Sequence, residues 1–471
     1  MLRTAITKNG TVKGLPGNDN RITVFKGIPF AAPPVGALRW KAPQPAKNWS
    51  GVRNCYEFGP ISMQDTPGVG DDLYSREWHV DSEIPISEDS LYLNIWTGAK
   101  STDDKLPVLV WYFGGAFQWG YTAEMEFNGE RLARHDVIVV SVGYRLAAFG
   151  NLAHPDLIKE DPEHPTNFGL LDQQAGLKWV YENIAAFGGD PEKITIGGQS
   201  AGGGSVLSLI SNPDNAKYVK GASIFSGMIR NPFENDPIIQ PKPIEKVLEN
   251  GMDFIDFLGV KSVDEARKLD ALTIRDKYAE FVLSHPRFTP CIDGKSITED
   301  PFNMFLDGKC LDIPTFIGYT GDEFTVPIKT TADGIDAALT KLDPDTVVIE
   351  KDGLKLFNIV ENSINAVGHN HGRLKASHRI SSDMFLYKFD PFIPGDDDPG
   401  AFHSCDLWFF FENVPMCHRP YTGAHYELSR RMSDYWTNFI KTGNPNGIGY
   451  DKQNLPTWNP VGDSNNVILF D

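Results

Sequence analysis

The sequence has little cysteine, and it lacks both a long hydrophobic run and a secretion signal. Its five cysteines are odd in number and scattered without metal-ligand spacing, which favours free buried thiols over a disulfide framework or a zinc site: Cys55, Cys291, Cys310, Cys405 and Cys417. No run approaches the roughly 20 apolar residues that cross a bilayer, and the first residues contain no apolar signal segment. A cytoplasmic location is therefore expected, unless a leader has been removed.

Positive charge is also in short supply. Lys and Arg together number 44 against 62 Asp and Glu, which gives a formal charge of −18. Such an excess of negative charge opposes binding to nucleic acid phosphates and to anionic membranes. We therefore expect a small-molecule substrate and neither a nucleic-acid nor a membrane partner, with monomer and homo-oligomer both open.

Strand and helix patterns alternate along the first half of the chain. Residues 108–113 and 137–142 are nearly continuous apolar runs, typical of parallel strands buried on both faces. Apolar residues at helical spacing follow between 177 and 187, and later strands are predicted at 314–319, 384–389 and 467–470. This order predicts an α/β fold with a mostly parallel central sheet, helices on both faces, and ligand chemistry at the carboxyl ends of the strands.

The length of the chain bounds its organisation. A chain of 471 residues could hold two or three domains, although α/β enzymes often run this long as one domain with insertions. Two charged, helix-rich stretches, about 235–285 and 325–380, lack buried-strand runs. We predict a single domain over residues 1–471, with these stretches as helical insertions that form a cap or side lobe.

The pentapeptide Gly198-Gln199-Ser200-Ala201-Gly202 lies between a predicted strand at 194–196 and a predicted helix at 201–211. In a G-x-S-x-G nucleophile elbow, the serine sits on a tight strand-to-helix turn, and glycines two before and two after it leave room for neighbouring backbone. A glycine-rich turn before a helix also binds phosphate or simply turns the chain. The element therefore favours a nucleophilic Ser200 and leaves those alternatives open.

Further motifs resemble one enzyme family. Residues 187–202 and the segment Glu88-Asp89-Ser90-Leu91-Tyr92-Leu93-Asn94-Ile95 are similar to the two sequence patterns of the type-B carboxylesterases, which include bacterial carboxylesterases and the cholinesterases. Similar stretches occur at 25–31, 143–146, 167–173, 435–439 and 442–445, so the resemblance covers nearly the whole chain. It implies an α/β-hydrolase fold and ester hydrolysis by a serine through an acyl-enzyme, without metal or cofactor.

The chain departs from the family pattern at three places. Ser62 and Ser90 stand where secreted members carry a disulfide, which supports a reducing compartment. The usual His-Gly-Gly-Gly or Tyr-Gly-Gly-Gly becomes Phe-Gly-Gly-Ala at 113–116. Gln199 replaces a residue that is often Glu, so a charge that attracts cationic substrates is missing.

The resemblance also assigns a catalytic triad. Ser200 is the nucleophile, and His403, in a loop beyond a late strand, is the expected base. In an α/β-hydrolase the acid of the triad precedes the histidine in the sequence. Glu323 aligns with the family's triad acid, and Asp322 is the immediate competitor. His369 and His371 flank Asn370 and suggest a metal site, but without a carboxylate pattern nearby a surface position is expected for both.

Other expected site residues surround this triad. The backbone amides of Gly115, Ala116 and Ala201 should hold the oxyanion, and the Ala116 amide can donate if its φ stays negative. Ser226 resembles a family serine close to the acid. Four side chains are expected to line the substrate pocket: Phe117, Trp119, Gln199 and Trp408.

The sequence thus predicts a serine carboxylic-ester hydrolase for neutral short-chain or aromatic esters. A feruloyl-type or lipid-ester hydrolase is the alternative within enzymes. A non-catalytic binding protein on the same fold is the alternative outside them, although such proteins typically lose a member of the triad, and all three members are present here.

Overall fold

The apolar runs in the first half of the chain form buried strands, because their side chains point alternately into two hydrophobic cores on opposite faces of the sheet. A computed structural model of the protein describes residues 1–230, 240–327, 347–351, 354–462 and 466–471. In the strands Leu106–Tyr112 and Ile138–Val142, Leu109 and Val139 belong to one hydrophobic core, whereas Val110 and Val140 belong to another. Each strand is therefore covered on both faces, as the sequence predicted.

The described strands follow one another along the chain as β1 (Thr4–Thr7), β2 (Gly10–Lys13), β3 (Leu15–Pro16), β4 (Thr23–Pro29), β5 (Val52–Asn54), β6 (Tyr92–Thr97), β7 (Leu106–Tyr112), β8 (Ile138–Val142), β9 (Gly189–Gln199), β10 (Gly221–Phe225), β11 (Thr315–Thr320), β12 (Thr325–Pro327), β13 (Val348–Lys351), β14 (Leu354–Asn358), β15 (Met384–Phe389) and β16 (Val467–Phe470).

The described helices are α1 (Leu73–Glu77), α2 (Ala147–Asn151), α3 (Pro155–Glu160), α4 (Phe168–Asn183), α5 (Ala201–Ser211), α6 (Leu248–Phe257), α7 (Val263–Ala266), α8 (Ala271–Phe281), α9 (Pro301–Leu306), α10 (Ile359–Ala376), α11 (Leu407–Phe410) and α12 (Gly423–Thr442). Short 3₁₀ helices occupy Gly36–Leu38, Thr102–Asp104, Met125–Phe127, Leu132–His135, Ile184–Phe187, Pro213–Lys217, Ile244–Lys246 and Val414–Met416.

Ten strands form the central sheet, in the order β16-β15-β11-β10-β9-β7-β8-β6-β4-β3. From β16 to β8 every neighbouring pair is parallel, whereas β6, β4 and β3 continue the sheet antiparallel at one edge. A mostly parallel sheet between two cores confirms the predicted α/β class. A second small sheet, β1-β2-β5, lies at the start of the chain.

The second predicted insertion is not wholly helical. In its described part, β12, β14 and β13 form an antiparallel sheet beside α10. The first insertion contains α6, α7 and α8, as its helix-rich composition predicted. Residues 235–239, 328–346 and 352–353 of these two stretches lie outside the described residues.

The parallel strands bring distant parts of the chain to one edge of the sheet. Strand β9 ends at Gln199, β11 ends just before Asp322 and Glu323, and the segment after β15 leads to His403. Because β15, β11, β10 and β9 are consecutive neighbours, their carboxyl ends meet along one rim. The predicted nucleophile, acid and base all lie in segments that begin at this rim of the sheet.

The protein has no disulfide bridge among its cysteines, all of which the structure describes, and serines stand at the two positions where secreted members of the family carry a disulfide. All five cysteines are free; Cys55, Cys291 and Cys405 are buried, whereas Cys310 and Cys417 are half-buried. Ser62 and Ser90 are both buried. No described helix is both long and apolar enough to cross a membrane.

Candidate active site

Ser200 lies at a strained turn between β9 and α5. Its backbone has φ 54° and ψ −123°, a conformation that a non-glycine residue adopts only when its surroundings impose it. A Cβ added at Gly198 would overlap the carbonyl group of Gly202, and one at Gly202 would overlap the carbonyl oxygens of Tyr112 and Phe113. Both flanking glycines are therefore required by close backbone approach, as expected for a nucleophile elbow.

His403 is held by Glu323. The imidazole Nδ1 lies 2.6 Å from Glu323 Oε2, and both side chains are buried. Glu323 Oε1 accepts hydrogen bonds from the backbone N and the hydroxyl of Thr320, at 3.2 and 3.0 Å. The carboxylate thus places the proton of neutral His403 on Nδ1, which leaves a lone pair on Nε2.

The pKa of Glu323 reports how strongly this arrangement favours the carboxylate. Burial alone would raise the pKa, but the charge and hydrogen bond of His403, together with the hydrogen bond from the Thr320 backbone and the nearby Ser226 hydroxyl, hold it below its ordinary value. Glu323 is therefore ionised at neutral pH. Ser226 is fully buried close to this carboxyl and favours its ionised form.

Asp322, the competing acid, contacts a different part of the site. Its Oδ2 accepts a hydrogen bond from the backbone N of Ala401 at 2.8 Å, and its backbone pairs with Phe402. Asp322 therefore fixes the loop that carries His403, whereas Glu323 alone of the two makes a hydrogen bond to the imidazole.

The loop after β7 has an unusual backbone. Gly115, Ala116 and Phe117 have φ values of 103°, 53° and 60°. Ala116 therefore does not have the negative φ on which donation by its amide was made conditional, because this loop turns through the left-handed region at three successive residues; a positive φ still leaves the N–H able to donate. Among the described residues, neither the Gly115 nor the Ala116 amide donates to another protein group, and Ala201 begins α5, where amides lack an intrahelical acceptor.

One cavity of about 820 Å³ contains the predicted nucleophile and the predicted base. Ser200 and His403 line it together with the oxyanion loop, and so do three of the four expected pocket residues, Phe117, Trp119 and Gln199. The fourth, Trp408, does not line it: its side chain is fully buried in the core, and its neighbour Leu407 reaches the cavity instead. The prediction for Trp408 was wrong because α11 turns that ring inward.

The cavity wall also carries carboxyl groups that the sequence did not reveal. Glu124 lies 2.5 Å from His79, and Asp300 lies 2.5 Å from Arg230. Burial, with the adjacent Glu124 charge, raises the pKa of Glu126 well above its ordinary value, which favours the uncharged form of this carboxyl. The sequence around 124–126 contains no motif that marks these acids as part of a site. Two acids in a loop usually face solvent.

Two further residues beside His403 escaped sequence reasoning. The Phe324 ring, 43% exposed, lies 4.3 Å from the His403 ring and lines the cavity. Asp406 is fully buried, and burial raises its pKa to about 7 although Tyr387 donates a hydrogen bond to it at 2.6 Å. Their positions in the sequence could have indicated them, because Phe324 follows the predicted acid and Asp406 lies three residues after the predicted base.

The histidine pair at 369 and 371 forms no metal cluster within the described residues. His371 is buried on α10, with Nε2 3.2 Å from the carbonyl oxygen of Ser382, so the expected surface position is wrong for it. The described groups with metal-ligand spacing are Glu77, Cys417 and His418, and Glu77 already pairs with Arg419 at 2.5 Å.

Comparisons with known proteins agree with this geometry. The sequence profile of the carboxylesterase family matches residues 3–356 and 350–470. The chain belongs to the carboxylesterase family. It is 34% identical over 461 residues to a para-nitrobenzyl esterase of Bacillus subtilis (strain 168), covering 93% of this chain and 90% of that protein. It is 30% identical over 489 residues to a cholinesterase of Mus musculus, covering 94% and 79%.

Solved carboxylesterase structures share the fold. A PNB esterase superposes with a TM-score of 0.78 at 29% sequence identity, covering 100% of this chain and 96% of that one. A Geobacillus stearothermophilus carboxylesterase gives a TM-score of 0.76 at 28% identity, with the same coverage. The predicted α/β-hydrolase fold and the predicted serine carboxylic-ester hydrolase are both confirmed.

Proposed function

We propose that Ser200, His403 and Glu323 are the catalytic triad of this carboxylesterase. The observation that carries the proposal is the 2.6 Å contact between His403 Nδ1 and Glu323 Oε2, beside a cavity that also contains Ser200 at its strained turn. His403 Nε2 accepts the proton of the Ser200 hydroxyl as Oγ attacks the ester carbonyl, and Glu323 stabilises the imidazolium. The imidazolium then protonates the departing alcohol.

The oxyanion of each tetrahedral intermediate is bound by the amides of Gly115, Ala116 and Ala201. The absence of protein acceptors for the first two amides among the described residues supports this role. Water, deprotonated by His403, then attacks the acyl-Ser200 ester and releases the acid, which restores the free serine. No step in this sequence needs a metal or a cofactor.

The preferred substrates are neutral short-chain or aromatic esters. Of the acids that line the cavity, Glu124 pairs with His79, Asp300 pairs with Arg230, and the raised pKa of Glu126 favours its uncharged form, whereas Asp65 and Asp72 are exposed. Gln199 adds no charge beside the nucleophile. A quaternary ammonium would therefore lose its hydration without gaining an unpaired buried carboxylate, whereas Phe117 and Trp119 offer apolar surface to a neutral ester.

A fluorophosphonate probe and an ester panel test this function. Ser200→Ala should abolish covalent labelling and lower ester turnover by several orders of magnitude. Ser211→Ala, at the far end of α5 and outside the cavity lining, is the matched control and should retain both. Labelling that persists at another serine would overturn the assignment.

Substrate class is tested separately by kcat/KM for p-nitrophenyl butyrate, butyrylcholine, a hydroxycinnamoyl ester and a long-chain ester. We expect the neutral butyrate ester to exceed butyrylcholine and the long-chain ester. Equal or greater efficiency on the choline ester would contradict the proposed preference, and a dominant hydroxycinnamoyl or long-chain activity would favour the alternative esterases. Chelators should leave every rate unchanged.

A further inference from the structure

The side chain before the nucleophile occupies the lone pair of the base. Gln199 Nε2 lies 3.0 Å from His403 Nε2, and the Gln199 side chain is buried. Because Glu323 accepts the proton on Nδ1, Nε2 is an acceptor, and the amide NH₂ is the group that donates to it. Among the described residues, Ser200 Oγ makes no hydrogen bond to His403. In the free enzyme the base is therefore bound to Gln199 and not to Ser200.

The neighbouring backbone leaves space for this amide. A Cβ at Gly114 would lie 2.7 Å from Gln199 Oε1 and 2.9 Å from the Gln199 carbonyl oxygen. Gly114 is not among the residues with positive φ, so backbone conformation alone does not require glycine there. The first glycine of the Phe-Gly-Gly-Ala loop is instead explained by the room that the Gln199 side chain and backbone carbonyl occupy.

We propose that Gln199 is a positioning residue that holds the His403 imidazole through Nε2 in the free enzyme and yields that lone pair to the Ser200 hydroxyl when an ester binds. The inference rests on the proposed roles of Ser200 and His403. During acylation the Ser200 proton passes to Nε2, whereas the amide keeps both of its protons and only exchanges its hydrogen-bond acceptor.

The hydrogen bond has a measurable electrostatic consequence. A donor to Nε2 stabilises neutral imidazole, because imidazolium has no lone pair there to accept it. An acceptor at the same place stabilises imidazolium instead. Substitution at position 199 leaves in place the other titratable residues around the His403–Glu323 pair, which are Asp322, Asp406, Cys405 and Tyr74.

Two substitutions separate donor from acceptor. Gln199→Met has a similar shape without a donor, and Gln199→Glu has a similar shape with an acceptor. We expect the midpoint of the pH profile of kcat/KM to rise from wild type to Gln199→Met and again to Gln199→Glu, the last by about one pH unit or more, equivalent to about tenfold lower activity on the acid limb. Gln173→Met removes another buried amide, which donates a hydrogen bond to Ser205 and none to His403, and should leave the midpoint unchanged.

A second measurement needs no activity. The titration of His403, followed by NMR of ¹³C-labelled histidine and assigned with His403→Ala, should show the same order of midpoints, also in the Ser200→Ala background. Coincident midpoints for wild type, Gln199→Met and Gln199→Glu, or an equal shift in Gln173→Met, would overturn the inference. Failure of the proposed function is distinguishable, since it appears as persistent fluorophosphonate labelling of Ser200→Ala.

Discussion

Glu323 and Asp322 are neighbours that hold different parts of the site, so their isosteric amides should behave differently. Glu323→Gln removes the charge that stabilises imidazolium, and we expect kcat/KM for p-nitrophenyl butyrate to fall by about two to four orders of magnitude. Asp322→Asn keeps an oxygen for the Ala401 amide and should cost less than about tenfold. A larger loss in Asp322→Asn would show that the wrong acid has been assigned.

Ala116 has a strained φ of 53° in the loop proposed to bind the oxyanion, which makes the effect of its size testable. The left-handed conformation costs an L-residue about 1–2 kcal/mol, whereas glycine adds about 0.5–1 kcal/mol of chain entropy to the unfolded state. The urea concentration at the unfolding midpoint of Ala116→Gly should therefore be at least as high as that of wild type, and Ala116→Val should be clearly less stable than wild type. Bulky acyl esters should gain rate in Ala116→Gly. A destabilised glycine variant would contradict this account of the loop.

Single residues were predictable where a motif fixed both chemistry and backbone. Ser200 and its two glycines follow from the elbow pattern, and His403 follows from the family resemblance. Trp408 and His371 were misplaced because a residue type does not indicate which way a helix turns its side chains. The contact between Gln199 and His403 joins residues 204 positions apart, so no local pattern reports it.

At the scale of elements, the start of α5 offers a matched pair of glycines. A methyl group at Gly202 would overlap the Tyr112 carbonyl, whereas at Gly204 its nearest neighbour would be Phe117 at 3.9 Å. Gly202→Ala should lower the free energy of unfolding by about 1–3 kcal/mol and distort the elbow, reducing fluorophosphonate labelling. Gly204→Ala should raise it by up to about 1 kcal/mol through helix propensity. Equal stabilities in urea would argue against tight packing at the elbow.

Elements were predictable where both faces are buried. Strands such as β7 and β8 read as continuous apolar runs because each face meets its own core, and α5 was predicted at its observed bounds despite three glycines. The sheet β12-β14-β13 was missed. Its strands are short and antiparallel, two of them lie where charged residues interrupt the apolar run, and their pairing spans residues that no local periodicity links.

The stability of the whole molecule should depend on pH through two buried carboxyl groups whose pKa values are shifted in opposite directions. Glu323 has a lowered pKa, so its stabilising contribution is present above the ordinary Glu range and is lost as pH falls. Asp406 has a pKa raised from 3.8 to about 7, so the folded protein binds a proton there that the unfolded chain releases. Its effect is a loss of stability as pH rises between those two values.

Asp406→Asn isolates the second effect, because the amide is neutral at every pH and its oxygen still accepts the Tyr387 hydroxyl. At pH 5, wild-type Asp406 is still protonated, whereas at pH 8 folding requires a buried charge. The stability of Asp406→Asn relative to wild type, from urea unfolding, should therefore increase between pH 5 and pH 8 by on the order of 1–4 kcal/mol. Asp253→Asn, at an exposed carboxylate, should give a relative stability that does not change with pH. A pH-independent difference for Asp406→Asn would mean that this carboxyl is ionised throughout, which its burial beside Glu323 opposes.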